Sequence, residues 1–120
     1  MSVSMPFGAD MRPDIKITRR NIGRLDALLA AHATDWSWRP VELLVRELMR
    51  ATVVEESQIP PDTVTMGSRV EFREETHGIT QVVTLAYPGE REAFADAISV
   101  ITPIGAALIG LAEGQSISYA

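Results

Sequence analysis

The sequence predicts an α+β protein in which a short antiparallel helical hairpin precedes a group of strands and one short helix. Apolar residues recur at helical spacing in two segments between residues 19 and 54, which predicts paired amphipathic helices. Two runs rich in β-branched residues follow, separated by a glycine-containing turn, and these predict a strand pair. A chain of 120 residues, 46% of them hydrophobic, is large enough for one core and a small appendage.

Residues 1–13 are predicted to be disordered or extended, and residues 14–54 to form the hairpin arm. "DIKIT" alternates like a short strand, and Thr18 is placed to cap a helix that runs to about His32. Pro40 fits the first turn of a second helix that runs to about Val54. Helices of about 14 residues are ~21 Å long and can pair as a short coiled coil. The apolar faces comprise Ile22, Leu25 and Leu29, then Val41, Leu44, Val45 and Leu48.

"EESQIPPDT" predicts a linker over residues 55–61, because consecutive prolines cannot continue a helix. The body is predicted over residues 62–120, with strands in "TVTMGSRVEFREE" and "ITQVVTLAY". The strand "ISVI" leads into a short helix that Thr102 caps with Pro103 in its first turn. "QSISYA" is predicted to be a last strand.

Several kinds of function lack support in the sequence. The uncharged stretch that begins at Ile98 is about 15 residues long, whereas a membrane span needs ~20. Gly105 and Gly110 have phosphate-loop spacing, but Leu111 stands where the loop needs lysine. His32 and His77 each lack a second ligand at metal spacing, so no metal site and no cofactor are predicted. The absence of cysteine is compatible with the cytoplasm, which is the default expectation.

Charge is distributed unevenly along the chain. Residues 1–54 carry eight basic and six acidic side chains, whereas residues 55–120 carry three basic and ten acidic ones. An acidic body argues against broad nucleic-acid binding, and no sequence-specific nucleic acid is expected as a partner. Within the arm, Arg19, Arg20 and Arg24 cluster at the start of the first helix, where they could contact RNA or an acidic protein surface; a solvated helix face is the alternative.

The hairpin tip is the second candidate contact. "DWSW" places Asp35, Trp36 and Trp38 together where the two predicted helices meet. Exposed aromatic residues at a projecting tip suit contact with a partner. Packing of Trp38 on Leu43 to close the end of the hairpin is the structural alternative.

Three segments of the body resemble the C-terminal domain of the bacterial Gre transcript-cleavage factors, and most of all the Rnk branch of that family. They are "DTVTMGSRVEF" (62–72), "VTLAYPGE" (83–90) and "ISVITPIGAALIGLAEGQSI" (98–117). The resemblance extends from about Ile59 onward and implies an FKBP-like body in which an antiparallel sheet wraps the short helix. It also implies an RNA polymerase-binding transcription factor that docks near the secondary channel. The loop that contacts polymerase in this family corresponds to Ile101, Thr102, Pro103 and Ile104.

The arm departs from the Gre pattern. Gre hairpins are much longer and carry paired acids at the tip that help to hold a catalytic magnesium, whereas this tip offers only Asp35. One carboxylate is a poor cage for Mg²⁺, so transcript cleavage is expected to be absent and the protein is expected not to be an enzyme.

The sequence leaves two alternatives to polymerase binding open. A peptidyl-prolyl isomerase would need an aromatic-lined pocket, for which the body offers Phe72, Tyr87, Phe94 and Tyr119. Direct binding to nucleoside diphosphate kinase would follow from the name given to the Rnk branch.

The C-terminus departs from the family pattern as well. Relatives continue past "QSISYA" with another strand, so the sheet is expected to have an open edge. A truncated form, or a homodimer that pairs through this edge, would account for it.

Overall fold

The computed structural model describes residues 2–5, 14–32, 38–75, 77–90 and 95–115. Its helices are α1 (Arg19–Ala31), α2 (Arg39–Arg50) and α3 (Pro103–Leu108), with a 3₁₀ turn at Glu56–Gln58. Its strands are β1 (Ser2–Met5), β2 (Lys16–Thr18), β3 (Thr52–Val54), β4 (Arg69–Glu74), β5 (Ile79–Ala86) and β6 (Ala97–Ser99). The predicted mixture of helices and strands is therefore confirmed.

Helix α1 begins where the sequence predicts. The Thr18 side chain accepts a hydrogen bond of 3.1 Å from the Asn21 backbone N–H, which satisfies one of the free donors at the helix start. Leu25 and Leu29, one turn apart, are buried. At the other end the His32 N–H donates to the Leu29 carbonyl over 3.0 Å. A threonine cap and one apolar face thus fix the position of α1.

Helix α2 is shorter than predicted. It has Pro40 in its first turn, as expected, but it ends at Arg50, because Ala51 adopts extended backbone angles. The predicted helical end over residues 52–54 is strand β3, which pairs in parallel with β2. β-branched residues favour a pleated strand over a helix, and the edge of β2 supplies the hydrogen-bond partners.

The sheet differs from the predicted antiparallel arrangement. Its strand order is β1-β4-β5-β6, and only the β4–β5 pair is antiparallel. Strand β1 joins β4 in parallel, and β6 joins β5 in parallel. Strand β1 comes from the start of the chain, whereas β6 is the next strand after β5 in the sequence. The predicted last strand over residues 115–120 lies beyond Gln115, where the described residues end, and dimerisation through an open edge stays a prediction.

A single hydrophobic cluster joins all three helices to the sheet. Helix α2 packs chiefly against α3 and only lightly against α1, so the two hairpin helices are held by the rest of the fold more than by each other. The coiled-coil pairing is therefore not confirmed, and the domain division at residues 55–61 stays a prediction. The largest fully buried side chains are Ile15, Ile17, Leu25, Leu44, Phe72, Leu85, Leu108, Ile109 and Leu111.

The predicted linker is ordered at its start. The Glu55 and Gln58 side chains each bond to the other residue's backbone N–H around the 3₁₀ turn. The Arg19 guanidinium donates to Glu55 Oε1 over 2.7 Å, which ties this turn to the start of α1. The 3₁₀ turn is therefore held beside Arg19, the first of the three clustered arginines.

Candidate functional site

The segment from Ser99 to Gly105, called here the α3 turn, is a compact hydrogen-bonded unit. The Thr102 hydroxyl donates to the Ser99 carbonyl over 2.7 Å and accepts from the Gly105 N–H over 2.9 Å. The Ile101 N–H donates to the Ser99 side-chain oxygen over 3.1 Å. These three bonds hold strand β6 and helix α3 at a fixed angle to each other.

Gly105 is required by the closeness of this turn. A Cβ at this position would overlap the Ser99 carbonyl oxygen and lie 2.8 Å from the Thr102 hydroxyl oxygen. Glycine allows the backbones of β6 and α3 to approach to this distance. The turn therefore has little freedom to rearrange.

The α3 turn exposes only part of the predicted polymerase contact. Ile101 is 7% exposed and belongs to the hydrophobic core, so its side chain offers little surface to a partner, and its contact with polymerase stays a prediction. Thr102 is half-buried and occupied with capping α3. Pro103 is exposed, and Ile104 is half-buried with part of its side chain against the core. The exposed part of this turn is centred on Pro103.

The hairpin tip is only partly described. Asp35 and Trp36 lie outside the described residues. Trp38 is the N-cap of α2, makes no side-chain capping bond and is 53% exposed. A side chain this exposed is available to a partner, although contact with one stays a prediction.

The three clustered arginines have different surroundings. Arg19 forms an ion pair with Glu55. Arg20 and Arg24 line a cleft of about 340 Å³ between α1, the loop after the 3₁₀ turn and the end of β5. We call this the arginine cleft; Asn21, Glu56, Tyr87 and Glu90 also line it. Two of the three clustered arginines, Arg20 and Arg24, therefore line the same cleft.

Tyr87 organises the arginine cleft. The Arg24 guanidinium lies 3.9 Å from the centroid of the Tyr87 ring, and the Tyr87 hydroxyl donates to Asn21 Oδ1 over 3.4 Å. Burial raises the pKa of the Tyr87 hydroxyl; Arg24 opposes this rise, Glu90 adds to it, and Arg20 opposes it less than Arg24 does. Tyr87 is therefore a neutral hydrogen-bond donor at neutral pH.

Sequence reasoning missed this cleft. The sequence assigns Tyr87 only to a possible aromatic-lined prolyl pocket, and it gives Asn21 and Glu90 no role. The available signal was the turn "YPGE", in which the Glu90 N–H donates to the Tyr87 carbonyl over 3.0 Å and Gly89 has a φ of 91°. Such a turn brings Glu90 back beside Tyr87, but the sequence does not show that α1 packs there.

Metal and membrane functions gain no support from the structure. Among the residues that are described, no group of three or more His, Asp or Glu side chains could hold a metal ion. Within the same part of the chain, none of the helices has the length and apolar character needed to cross a membrane.

Comparison with known proteins identifies the class. Residues 59–120 match the family model described as transcription elongation factor, GreA/GreB, C-terminal domain. The chain belongs to this family of transcription elongation factors. The match covers β4, β5, β6 and α3, and with them the α3 turn.

The relatives are consistent with this assignment. The chain is 39% identical over 109 residues to the regulator of nucleoside diphosphate kinase of Escherichia coli K12, which covers 90% of this chain and 79% of that protein. It is 28% identical over 78 residues to the elongation factor GreA of Geobacillus kaustophilus, covering 65% of this chain and 49% of that one. A GreA/GreB structure from Nitrosomonas europaea superposes with a TM-score of 0.67 at 39% identity, over 86% of this chain and 82% of the other.

Proposed function

We propose that this protein is a non-enzymatic RNA polymerase-binding transcription factor that docks near the secondary channel through its C-terminal domain. Family membership over residues 59–120 is the observation that carries the proposal. The family model includes the α3 turn, which the resemblance to Gre factors implies as the polymerase contact. A factor that binds polymerase in a bacterium acts in the cytoplasm.

The docking surface is centred on Pro103 and Ile104. The hydrogen bonds of Thr102 to Ser99 and Gly105 hold this surface in one conformation, so little order has to be gained on binding. Ile101 supports this surface indirectly, because its buried side chain packs in the hydrophobic core behind the turn. Its substitution would act on folding, whereas substitution of Pro103 would act on contact with polymerase.

Transcript cleavage is absent from the proposed function. Helices α1 and α2 contain 13 and 12 residues, which at 1.5 Å per residue gives lengths of only about 20 and 18 Å. The residues between them include a single acid, Asp35. A short arm with one carboxylate at its tip supplies neither the reach nor the ligands that a shared magnesium site needs.

Co-purification with the tagged chain tests the proposal. Core RNA polymerase and nucleoside diphosphate kinase are offered separately and together at micromolar concentration, and we expect retention of polymerase. The untagged chain added in excess should release it. No retention of polymerase under these conditions would contradict the proposal.

A cleavage assay on a backtracked transcription complex tests the absence of catalysis. We expect the rate of Mg²⁺-dependent transcript shortening to equal that of polymerase alone, with an authentic transcript-cleaving Gre factor as the positive control. Faster transcript shortening that depends on this chain would contradict the proposed absence of cleavage activity.

Nucleoside diphosphate kinase is a second candidate partner. It is favoured by the relative that is 39% identical and is named as a regulator of that enzyme. Retention of the kinase without polymerase in the co-purification would select this candidate. Prolyl isomerisation is not favoured, because Phe72 and Tyr87, the two candidate pocket aromatics that the structure describes, are both buried.

A further inference from the structure

The arginine cleft has the size of a small-ligand site, and two guanidinium groups line it. Its volume of about 340 Å³ falls at the lower end of the 300–1,000 Å³ range of small-ligand pockets. It lies between helix α1 and the end of β5, whereas the α3 turn lies between β6 and α3. A ligand bound in this cleft would therefore be separate from the proposed polymerase contact.

Arg24 is oriented before any ligand binds. Its guanidinium stacks on Tyr87, which is 7% exposed and is itself tied to Asn21 through its hydroxyl. Stacking restrains the guanidinium plane and leaves the N–H groups at its edge able to donate to oxygen atoms. Binding an oxyanion at Arg24 thus requires little side-chain ordering.

Arg20 supplies a second guanidinium, one helical turn before Arg24. Residues four apart on a helix have Cβ atoms about 5–6 Å apart, so both side chains can reach one ligand. Arg20 is exposed and has no ion pair within the described residues. The cleft therefore holds two guanidinium groups, one of them unpaired, opposite the carboxylates of Glu56 and Glu90.

The acids of the cleft determine which anion fits. Glu90 Oε2 lies 3.6 Å from Arg24, beyond hydrogen-bond distance, while its other oxygen accepts a 3.4 Å bond from the Tyr87 N–H. Glu56 also lines the cleft and has no ion pair among the described residues. A ligand with a single carboxylate would compete poorly with Glu90 for the Arg24 guanidinium, because Glu90 is already held beside Arg24. The ligand must bring more charge and more oxygen acceptors than one carboxylate.

We propose that the arginine cleft binds a diphosphate group, either as the free anion or as the diphosphate end of a nucleotide. Its two phosphoryl groups supply acceptors for both guanidinium groups, and arginine matches phosphate oxygens in a bidentate manner. Glu90 turns away from Arg24 when the ligand binds. Because the Tyr87 ring is covered by Arg24, the cleft recognises the diphosphate and not a stacked base.

Calorimetric titration of the full chain with inorganic pyrophosphate and with ADP tests the proposal. We expect saturable binding of both at low ionic strength, or of pyrophosphate alone if the ligand is the free anion. Binding should weaken as salt is raised, since the contact is between charges. Binding of ADP without any binding of pyrophosphate, or no saturable binding of either at millimolar concentration, would overturn the proposal.

Matched variants locate the site. Arg20→Gln removes an exposed cation without disturbing a described contact, and we expect it to weaken pyrophosphate binding about tenfold or more, as the loss of one charge-assisted pair predicts. Glu90→Gln should strengthen binding several-fold, because a competing carboxylate is removed. Arg73→Gln, an exposed arginine on β4 outside the cleft, should leave the affinity unchanged. Equal weakening by Arg20→Gln and Arg73→Gln would show nonspecific attraction and contradict the site.

Discussion

The Arg24 guanidinium lies 3.9 Å from the centroid of the Tyr87 ring. This contact joins α1, the first helix of the predicted arm, to the end of β5, where the "YPGE" turn begins. It lies beside the ordered turn that Arg19 ties to Glu55. The start of α1 is therefore held at two neighbouring points, by the 3₁₀ turn through Glu55 and by the end of β5 through Tyr87.

A double-mutant cycle measures the strength of this fastening. Arg24→Gln, Tyr87→Leu and the double variant should give a coupling of about 0.5–1 kcal/mol in the free energy of unfolding, as for cation–π pairs that are partly exposed. Urea denaturation monitored by circular dichroism provides the measurement. Additive effects of the two substitutions would show that the stacking contributes nothing to stability.

Two glycines in helices should respond in opposite ways to alanine. Gly105→Ala should lower the free energy of unfolding by about 1–3 kcal/mol, because the new methyl group overlaps the Ser99 carbonyl. Gly23→Ala, whose new methyl group meets no atom within 4 Å, should raise it by about 0.5–1 kcal/mol through helix propensity. Urea midpoints of the two variants check both signs. A tolerated Gly105→Ala would contradict the close approach of β6 and α3.

Asp96 should make stability depend on pH in the acid range. The hydrogen bond from the Thr84 hydroxyl, 2.7 Å long, and then that from Arg69, 3.1 Å long, hold the pKa of Asp96 below its ordinary value. A carboxyl group with a lowered folded-state pKa stabilises the fold above its unfolded pKa, and this contribution is lost as the pH falls through the folded pKa. The difference in unfolding free energy between the natural chain and Asp96→Asn should therefore be constant near neutral pH and shrink below about pH 4.

Urea titrations from pH 7 downward provide the measurement for Asp96. Asp26→Asn serves as the matched control, because Asp26 is an exposed residue of α1 with no hydrogen bond among the described residues. A difference for Asp96→Asn that stays constant throughout the acid range would contradict the role of its two hydrogen bonds.

Local chemistry made several parts of the fold predictable from sequence. Two helix starts, at Thr18 and at the Thr102–Pro103 pair, are predictable because capping depends only on residues that are neighbours in the sequence. The buried faces of α1 and α2 follow from helical periodicity in the same way. The resemblance to Gre factors adds the family of the body and implies a polymerase contact in the α3 turn.

Features that depend on distant pairings were not predictable from sequence. Residues 52–54 look helical by continuation of α2, but they become β3 because β2 lies beside them. The parallel additions of β1 and β6 to the sheet have no local signal. Tyr87 meets Arg24 only because α1 packs beside the end of β5, and for the same reason the arginine cleft appears only in the folded chain.

The most direct test of the polymerase contact compares two proline substitutions. Pro103→Glu places a carboxylate in the proposed apolar contact, while an acid in the first turn of α3 is compatible with the helix. Pro61→Glu makes the same change at an exposed proline of the linker turn. The measurement is the dissociation constant of each folded variant with core RNA polymerase.

We expect Pro103→Glu to weaken binding to core polymerase by about tenfold or more, because an unpaired charge is buried in the interface. Pro61→Glu should bind as the natural chain does. Equal affinities of the natural chain and of both variants would contradict docking through the α3 turn.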